Sequence, residues 1–371
     1  MRIAVVGGGV IGASCARFLA QSGASVTLYT ESELTSGASG RSLSWLNASG
    51  PWPDHYFHLR MAGIDRYRTL LSQHPDIDWI RFDGGIFCSD EQEIRQWHQA
   101  ERAHGYDSHL CDADQIAALE PCVNPEALSR KVMVNPGEGW VSLPALIDWL
   151  IASFSAYGGE LCCNAGKTAP VTGEDGAVRG IKSERYGEVA FDKVVIACGA
   201  NTPAIVTELG FPLPDGNVLS MVAWSQPQAR LPRKVFNTPR VALRPHPGQA
   251  LAIDHSWYAD EIHEDEAGHC TVPESVLTRL FAEADALLNP DAPLQVASYK
   301  AGWKPVPADG FPVLGEIPGV PGAWVAYTHS GATLGLIIGE LLSLEILSGV
   351  HHPMLAAFRP ARFQADAVQE K

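Results

Sequence analysis

The segment that most constrains this chain is its beginning, MRIAVVGGGVIGASCARFLAQSGASVTLYTES. Residues 2–6 (RIAVV) form a short apolar run with β-branched residues, residues 10–22 place apolar side chains at helical spacing, and SVTLY at 25–29 is a second strand. Gly23 stands where a helix-ending glycine is expected. A strand, a helix and a strand within about 30 residues make a βαβ unit, whose strands lie parallel with a helix packed across them. The predicted class is therefore α/β.

Three glycines, Gly7, Gly9 and Gly12, occupy the first strand-to-helix turn in G-x-G-x-x-G order. The first permits the tight turn, the second lets backbone approach a pyrophosphate, and the third lets helix and strand pack closely. The helix N-terminus, at Val10 and Ile11, attracts phosphate charge. A dinucleotide site of this kind expects an acidic side chain at the end of the second strand, where it accepts hydrogen bonds from a ribose. Thr30 holds that place and Glu31 is one residue late, so either the Glu31 carboxylate or the Thr30 hydroxyl serves the ribose.

A chain of 371 residues accommodates about two domains. Its net charge of −15 argues against general binding to nucleic acid or anionic lipid. No run of about 18 uncharged apolar residues is present and the start lacks signal-peptide features, so no transmembrane segment and a cytoplasmic location are expected. The eight cysteines include no CxxC pair and read as reduced thiols, and His55 and His58 in DHYFHLR lack further ligands at metal spacing.

Beyond the βαβ unit, ELTSGASGRSLSWLNASGPWP is rich in Ser and Gly and reads as a ligand loop, with Ser39, Gly40, Arg41 and Ser42 as candidate pyrophosphate contacts. A helix over roughly 55–74, a hairpin in WIRFDGGIFCSD and an exposed helix in EQEIRQWHQAERAHG follow. Hairpin strands then lead to a buried strand, Val194–Ala197, of the kind found in parallel sheets, and Gly199 lets its end approach a nucleotide. Residues 212–300 alternate short strands such as RVALRPH and QALAID with one helix near 274–288, which predicts a largely antiparallel second domain. The last segment, GAWVAYTHSGATLGLIIGELLSLEILSG, is again strand, glycine turn and helix, and places Gly331, Ala332, Thr333 and Leu334 at a helix N-terminus.

Together the N-terminal fingerprint, SGASGRS, NPGEGWVSLPAL, VVIACGA, GWKPVPADGFPVLG and HSGATLG resemble the FAD-dependent amino-acid and amine oxidoreductases of the D-amino-acid oxidase type, over nearly the whole chain. The resemblance implies a Rossmann-like FAD-binding domain from residues 1–44, 140–215 and 300–371, and a β-rich (α+β) substrate domain from 45–139 and 216–299. It implies non-covalent FAD, contacted additionally by Thr168 and Ala197, a small amine or amino-acid substrate, and oxygen or another electron acceptor. The reaction implied is hydride transfer from a C–H beside an amine to flavin N5, giving an imine that water hydrolyses. A flavin monooxygenase using NAD(P)H, or a flavin-bearing non-catalytic subunit of a complex, are the rival readings. Where glycine oxidase-like members carry a carboxylate-binding arginine this chain has Lys304, a point charge in place of a bidentate fork. His329 stands where some relatives carry a second substrate-binding arginine, and Trp45, Trp224, Trp257 and Trp303 fall in segments expected near the substrate.

Overall fold

The computed structural model describes residues 1–366. The chain divides into two compact units: Met1–Gly40, Leu143–Val218 and Trp303 onward form the first, and Arg41–Ser142 with Leu219–Gly302 form the second.

The first unit is built on a six-stranded sheet in the order Val313–Glu316, Ala323–Tyr327, Lys193–Ile196, Arg2–Val6, Ser25–Tyr29 and Glu160–Cys162. All neighbours are parallel except the edge pair Val313–Glu316 with Ala323–Tyr327. Arg2–Val6 lies at the point where the strand order reverses, the place where open α/β sheets bind ligands beyond their carboxyl ends. The central strands are buried on both faces, as their apolar runs require. One face carries the helix Val10–Gln21 and, packed along it, the helix Gly331–Ser348. Gly339 permits this approach, because a Cβ there would meet Ser14 Cβ at 2.6 Å. The Gly331–Ser348 helix is long and apolar enough to cross a membrane by length and composition, yet most of it is buried inside the fold. A separate three-stranded antiparallel sheet, Thr168–Thr172, Val178–Ser183 and Gly187–Ala190, completes the unit.

The second unit has an eight-stranded mixed sheet in the order Val296–Lys304, Val218–Ser225, Ala250–Asp254, Ala242–His246, Val235–Asn237, Gly85–Phe87, Lys131–Asn135 and His109–Asp112. Its core face carries Met221, Ala223, Leu243, Leu251 and Ile253 against Val276, Leu280 and Phe281 of the helix Glu274–Leu288. A three-stranded sheet of Trp45–Leu46, Gly139–Val141 and Ile80–Arg81 belongs to the same unit. The hairpin expected in WIRFDGGIFCSD is not formed. Ile80–Arg81 pairs with Gly139–Val141, whereas Gly85–Phe87 pairs with Val235–Asn237 and Lys131–Asn135. Gly84, at φ +102°, donates its N–H to the Glu138 carbonyl at 2.9 Å, so the glycines pass the chain from one sheet to the other instead of folding it back.

The helix expected in EQEIRQWHQAERAHG spans Glu91–Ala103 and begins at Asp90, whose carboxylate accepts the Glu93 N–H at 3.0 Å. It is mostly exposed, but Glu101 is wholly buried. Glu101 Oε1 accepts from Ser49 Oγ (2.6 Å) and the Gly50 N–H (3.1 Å). Glu138, also wholly buried, accepts from Tyr106 Oη at 2.7 Å, and Asn135 Nδ2 reaches both carboxyl groups at 3.3–3.4 Å. Burial, with the field of Glu101 acting in the same direction, pushes the Glu138 carboxyl up to about 8 against the lowering pull of Tyr106, Asn135 and Arg60.

Candidate active site

The three fingerprint glycines have distinct physical roles. Gly7 adopts φ +124°, and a Cβ there would collide with the Ala197 carbonyl, so the turn lies directly on the end of the Lys193–Ile196 strand. A Cβ on Gly12 would fall on the Gly7 carbonyl oxygen. Both glycines are demanded by the protein's own packing. Gly9 is different: its nearest neighbour is a hydroxyl, Ser39 Oγ, at 3.1 Å from a Cβ placed there. Gly8, which sequence reasoning passed over, covers Thr30, whose Oγ1 would sit 2.6 Å from a Cβ on Gly8.

The helix Val10–Gln21 starts from Gly9 with no side-chain cap and no acidic residue in its first turn. Ser39 Oγ accepts the Val10 N–H at 3.0 Å, which brings the Ser/Gly loop onto the fingerprint; a Cβ on the adjacent Gly40 would strike the Thr35 carbonyl. Among the described residues the Ile11 and Gly12 N–H groups have no acceptor. The second helix, Gly331–Ser348, also lacks an acidic first turn, and a Cβ on Gly331 would lie 3.5 Å from Val10 Cγ1. Gly331 therefore meets Val10, while Gly339 meets Ser14 further along, so the two helices present their N-termini at the same end. Two positive helix ends side by side repel unless an anion lies between them. Glycine-lined backbone, unspent N–H donors and paired helix ends fit the phosphates of a dinucleotide such as FAD.

At the end of Ser25–Tyr29, Thr30 is buried and its hydroxyl points to the Glu33 carbonyl at 3.5 Å. Glu31 is exposed with no hydrogen-bond partner for its carboxylate among the described residues, and its charge contributes, after burial, to raising the Cys198 thiol to about 12. Beyond the Lys193–Ile196 strand Gly199 turns at φ +58°. Thr168 donates its hydroxyl to the Gly166 carbonyl at 3.1 Å. Arg41 and Ser42 lie in the second unit: the Arg41 guanidinium covers Gly302, and Ser42 Oγ accepts the Ser44 N–H at 3.1 Å.

Lys304 ends the strand Val296–Lys304, half-buried, with no ion-pair partner among the described residues. His329 is exposed, with Nδ1 3.2 Å from Ser330 Oγ, just before the Ala332 and Thr333 end of the second helix. One residue missed by sequence reasoning ties these segments together. Asn217 Oδ1 accepts the Val306 N–H at 3.0 Å and lies 2.7 Å from the Tyr327 hydroxyl, while its Nδ2 donates to the Ala200 carbonyl at 3.0 Å. The chain is thereby fixed two residues after Lys304, two before His329 and one after Gly199. In the sequence Asn217 reads as part of a turn, PLPDGN, and carries no other signal. Trp257 corrects an expectation: it packs on the core side of the second unit, with Arg240 and Arg279 at 4.7 and 4.9 Å from its ring, away from the face that bears Trp224.

Comparison with known proteins gives the family and the fold. The chain is 28% identical over 387 residues to glycine oxidase of Pseudomonas aeruginosa, covering 97% of this chain and 98% of that protein. Its fold superimposes on L-amino acid deaminase from Proteus myxofaciens with a TM-score of 0.85 at 17% identity, covering 97% and 93% of the two chains. Glycine oxidase from Bacillus cereus gives 0.81 at 22% identity, covering 95% and 97%. The family described as FAD dependent oxidoreductase (DAO) matches residues 2–344. With that match over almost the whole chain and a nucleotide cradle at its N-terminus, this protein belongs to the DAO family of FAD-dependent oxidoreductases.

Proposed function

We propose that this enzyme oxidises the C–N bond of an amino acid or secondary amine, with FAD held non-covalently. The observation that carries the reading is the pair of helix N-termini meeting at Val10 and Gly331 on the carboxyl side of the parallel sheet. Gly9, Ile11, Gly12 and Ser39 hold the pyrophosphate, Glu31 the ribose, and the N–H groups of the Gly331–Leu334 turn hold the developing negative charge. Thr30 gives up the ribose role because its buried hydroxyl is turned to Glu33. When bound, FAD supplies the two-electron acceptor for the hydride leaving the carbon beside the amine, and the imine product is hydrolysed by water. Lys304 supplies an unpaired ammonium for a substrate anion, and Asn217 fixes the backbone on which Lys304 and His329 stand.

The test is anaerobic mixing of the purified holoenzyme with a panel of amino acids and secondary amines, followed by the flavin absorbance at about 450 nm. Bleaching by a member of the panel is expected. Bleaching by NAD(P)H alone supports the monooxygenase reading instead, and no bleaching by any amine supports a non-catalytic subunit. With a carboxylate substrate, Lys304→Met should lose about 2–4 kcal/mol in kcat/KM, the scale for breaking a desolvated charge pair. Equal rates in both proteins would remove Lys304 from the site.

A further inference from the structure

The helix Asp54–Gln73 ends near the short strand Ile80–Arg81, and there the second unit opens a cleft of about 450 Å³. Two guanidiniums line it, Arg68 from the last turns of the helix and Arg81 from the strand. Leu71, Pro75 and Phe82 supply apolar walls, and the exposed Ser72 contributes a hydroxyl. The whole lining, Gly137 included, belongs to the second unit.

Both arginines are held by backbone carbonyls. Arg68 Nη2 donates to the Gly137 carbonyl at 2.7 Å, and a Cβ on Gly137 would stand 2.8 Å from that nitrogen, so a glycine leaves the room the arginine takes. The Arg68 guanidinium lies 5.5 Å from the centre of the Phe82 ring, and its Nη1 meets Asp65 Oδ1 at 2.9 Å. Arg81 Nη1 donates to the Ile77 and Ile80 carbonyls at 3.0 and 3.2 Å. Its Nε and Nη2, the parallel pair of N–H groups that matches two oxygens of one oxyanion, have no acceptor among the described residues. Asp76, Asp78 and Asp83 stand close to Arg81 in sequence, all exposed, yet none of them pairs with it. A cation near the carbonyl end of a helix accounts for Arg68. It does not account for Arg81, whose two carbonyl partners lie outside the helix. The Arg68–Asp65 pair is open to solvent and worth little, so an incoming anion can take Arg68 from Asp65.

We propose that this cleft binds a small phosphomonoester with an apolar or aromatic body, Arg81, Arg68 and the Ser72 hydroxyl taking the phosphate and Phe82, Leu71 and Pro75 the body. Donors that arrive from a strand and from two positions on a helix suit a tetrahedral oxyanion better than a flat carboxylate, and arginine forks recognise phosphate by direction as well as by charge. In a chain of net charge −15, two guanidiniums in one cleft also concentrate anions locally. The inference does not depend on the reading of the flavin chemistry. Isothermal titration of the FAD-loaded protein, whose dinucleotide cradle is filled, tests it with phenyl phosphate, with inorganic phosphate as the bare anion and phenol as the neutral body. Phenyl phosphate should bind, inorganic phosphate should bind about fivefold more weakly for want of the ring contacts, and phenol should not bind. Arg81→Met should weaken phenyl phosphate by about tenfold, and Arg81→Lys, a point charge without the fork, should recover part of the loss. Asp65→Asn, at an exposed position, should tighten phenyl phosphate about twofold by releasing Arg68, and it covers the case in which the Arg81 variants do not fold. Lys304→Met should leave the affinity unchanged, which separates this cleft from the substrate site proposed above. The proposal is overturned if phenyl phosphate does not bind, if phenol or inorganic phosphate binds as tightly, if Arg81→Met and Asp65→Asn both leave the affinity unchanged, or if Lys304→Met abolishes it.

Discussion

The two units handle buried charge in opposite ways. In the first, Glu345 is fully buried near the end of the long C-terminal helix and is neutralised on the spot: Arg359 grips both its oxygens at 2.5 and 2.6 Å, and the His352 N–H adds a third bond at 2.5 Å. In the second, Arg244 has no carboxylate partner among the described residues, and Glu138 has a second carboxyl group, Glu101, for a neighbour. A charge closed within the protein serves the fold; a charge left open calls for a proton or a ligand. The helix ends at Val10 and Gly331 obey the same distinction in dipole form.

Opening the closed pair should cost the most. Arg359→Met leaves Glu345 buried and unpaired, and should cost about 3–5 kcal/mol in denaturant unfolding. Arg244→Met removes an unpaired charge and should change stability by about 1 kcal/mol or less, since two neutral carbonyl contacts are lost while a desolvation cost disappears. Equal losses in the two variants would mean that Arg244 is as structural as Arg359.

Next in size is the contrast between glycines. Gly12→Ala forces a Cβ onto the Gly7 carbonyl and should destabilise the protein by about 1–3 kcal/mol, with lost flavin as a by-product. Gly9→Ala meets only the Ser39 hydroxyl, at 3.1 Å, so its thermal unfolding without cofactor should stay close to the parent while its FAD content after purification falls sharply. Full flavin loading of Gly9→Ala would mean that the backbone there does not approach the cofactor.

These glycines also show what could be read without coordinates. Residues 2–31 state their own fold because periods of 3.6 and 2 and the Gly spacing act over short stretches of chain. In the second unit the same reasoning locates strands in RVALRPH and QALAID but misleads about their polar positions. A polar residue alternating with apolar ones reads as facing water, and Arg244 is instead buried, because the Leu43 carbonyl and the Trp140 ring lie against its guanidinium. Glu101 is hidden in the same way inside a helix whose composition reads as solvated. Asn217 depends on three partners far from it in sequence, so no local pattern announces it.

The buried carboxyl pair of the second unit also makes stability depend on pH. Glu138 in the folded chain titrates at about 8 against an ordinary 4.5. Between those values the native state holds a proton that the unfolded state has lost. Its contribution to stability is therefore full below pH 4.5, declines by about 1.4 kcal/mol per pH unit, and is gone above pH 8. Glu138→Gln should flatten this part of the stability profile in urea titrations at successive pH values; an unchanged slope would assign it to other groups.

The smallest effect is expected at Glu31, an exposed side chain. Glu31→Gln should weaken FAD by about 1 kcal/mol, read from the equilibrium between flavin and apoprotein. Unchanged affinity would return the ribose to Thr30.

The helix pair that joins Ser14 and Cys15 to Gly339 and Ser343 has a consequence for how the protein is made. Ser343 Oγ donates to the Cys15 carbonyl across 328 positions of sequence, so the N-terminal turn waits for almost the entire chain before its packing partner exists. During synthesis the first unit stays incomplete while the second can already collect its sheet, and loop closure over such a span slows the last step. Chains truncated before Gly331 should emerge without a nucleotide site, and a cofactor bound between the two helix ends would stabilise a join between segments far apart in the chain.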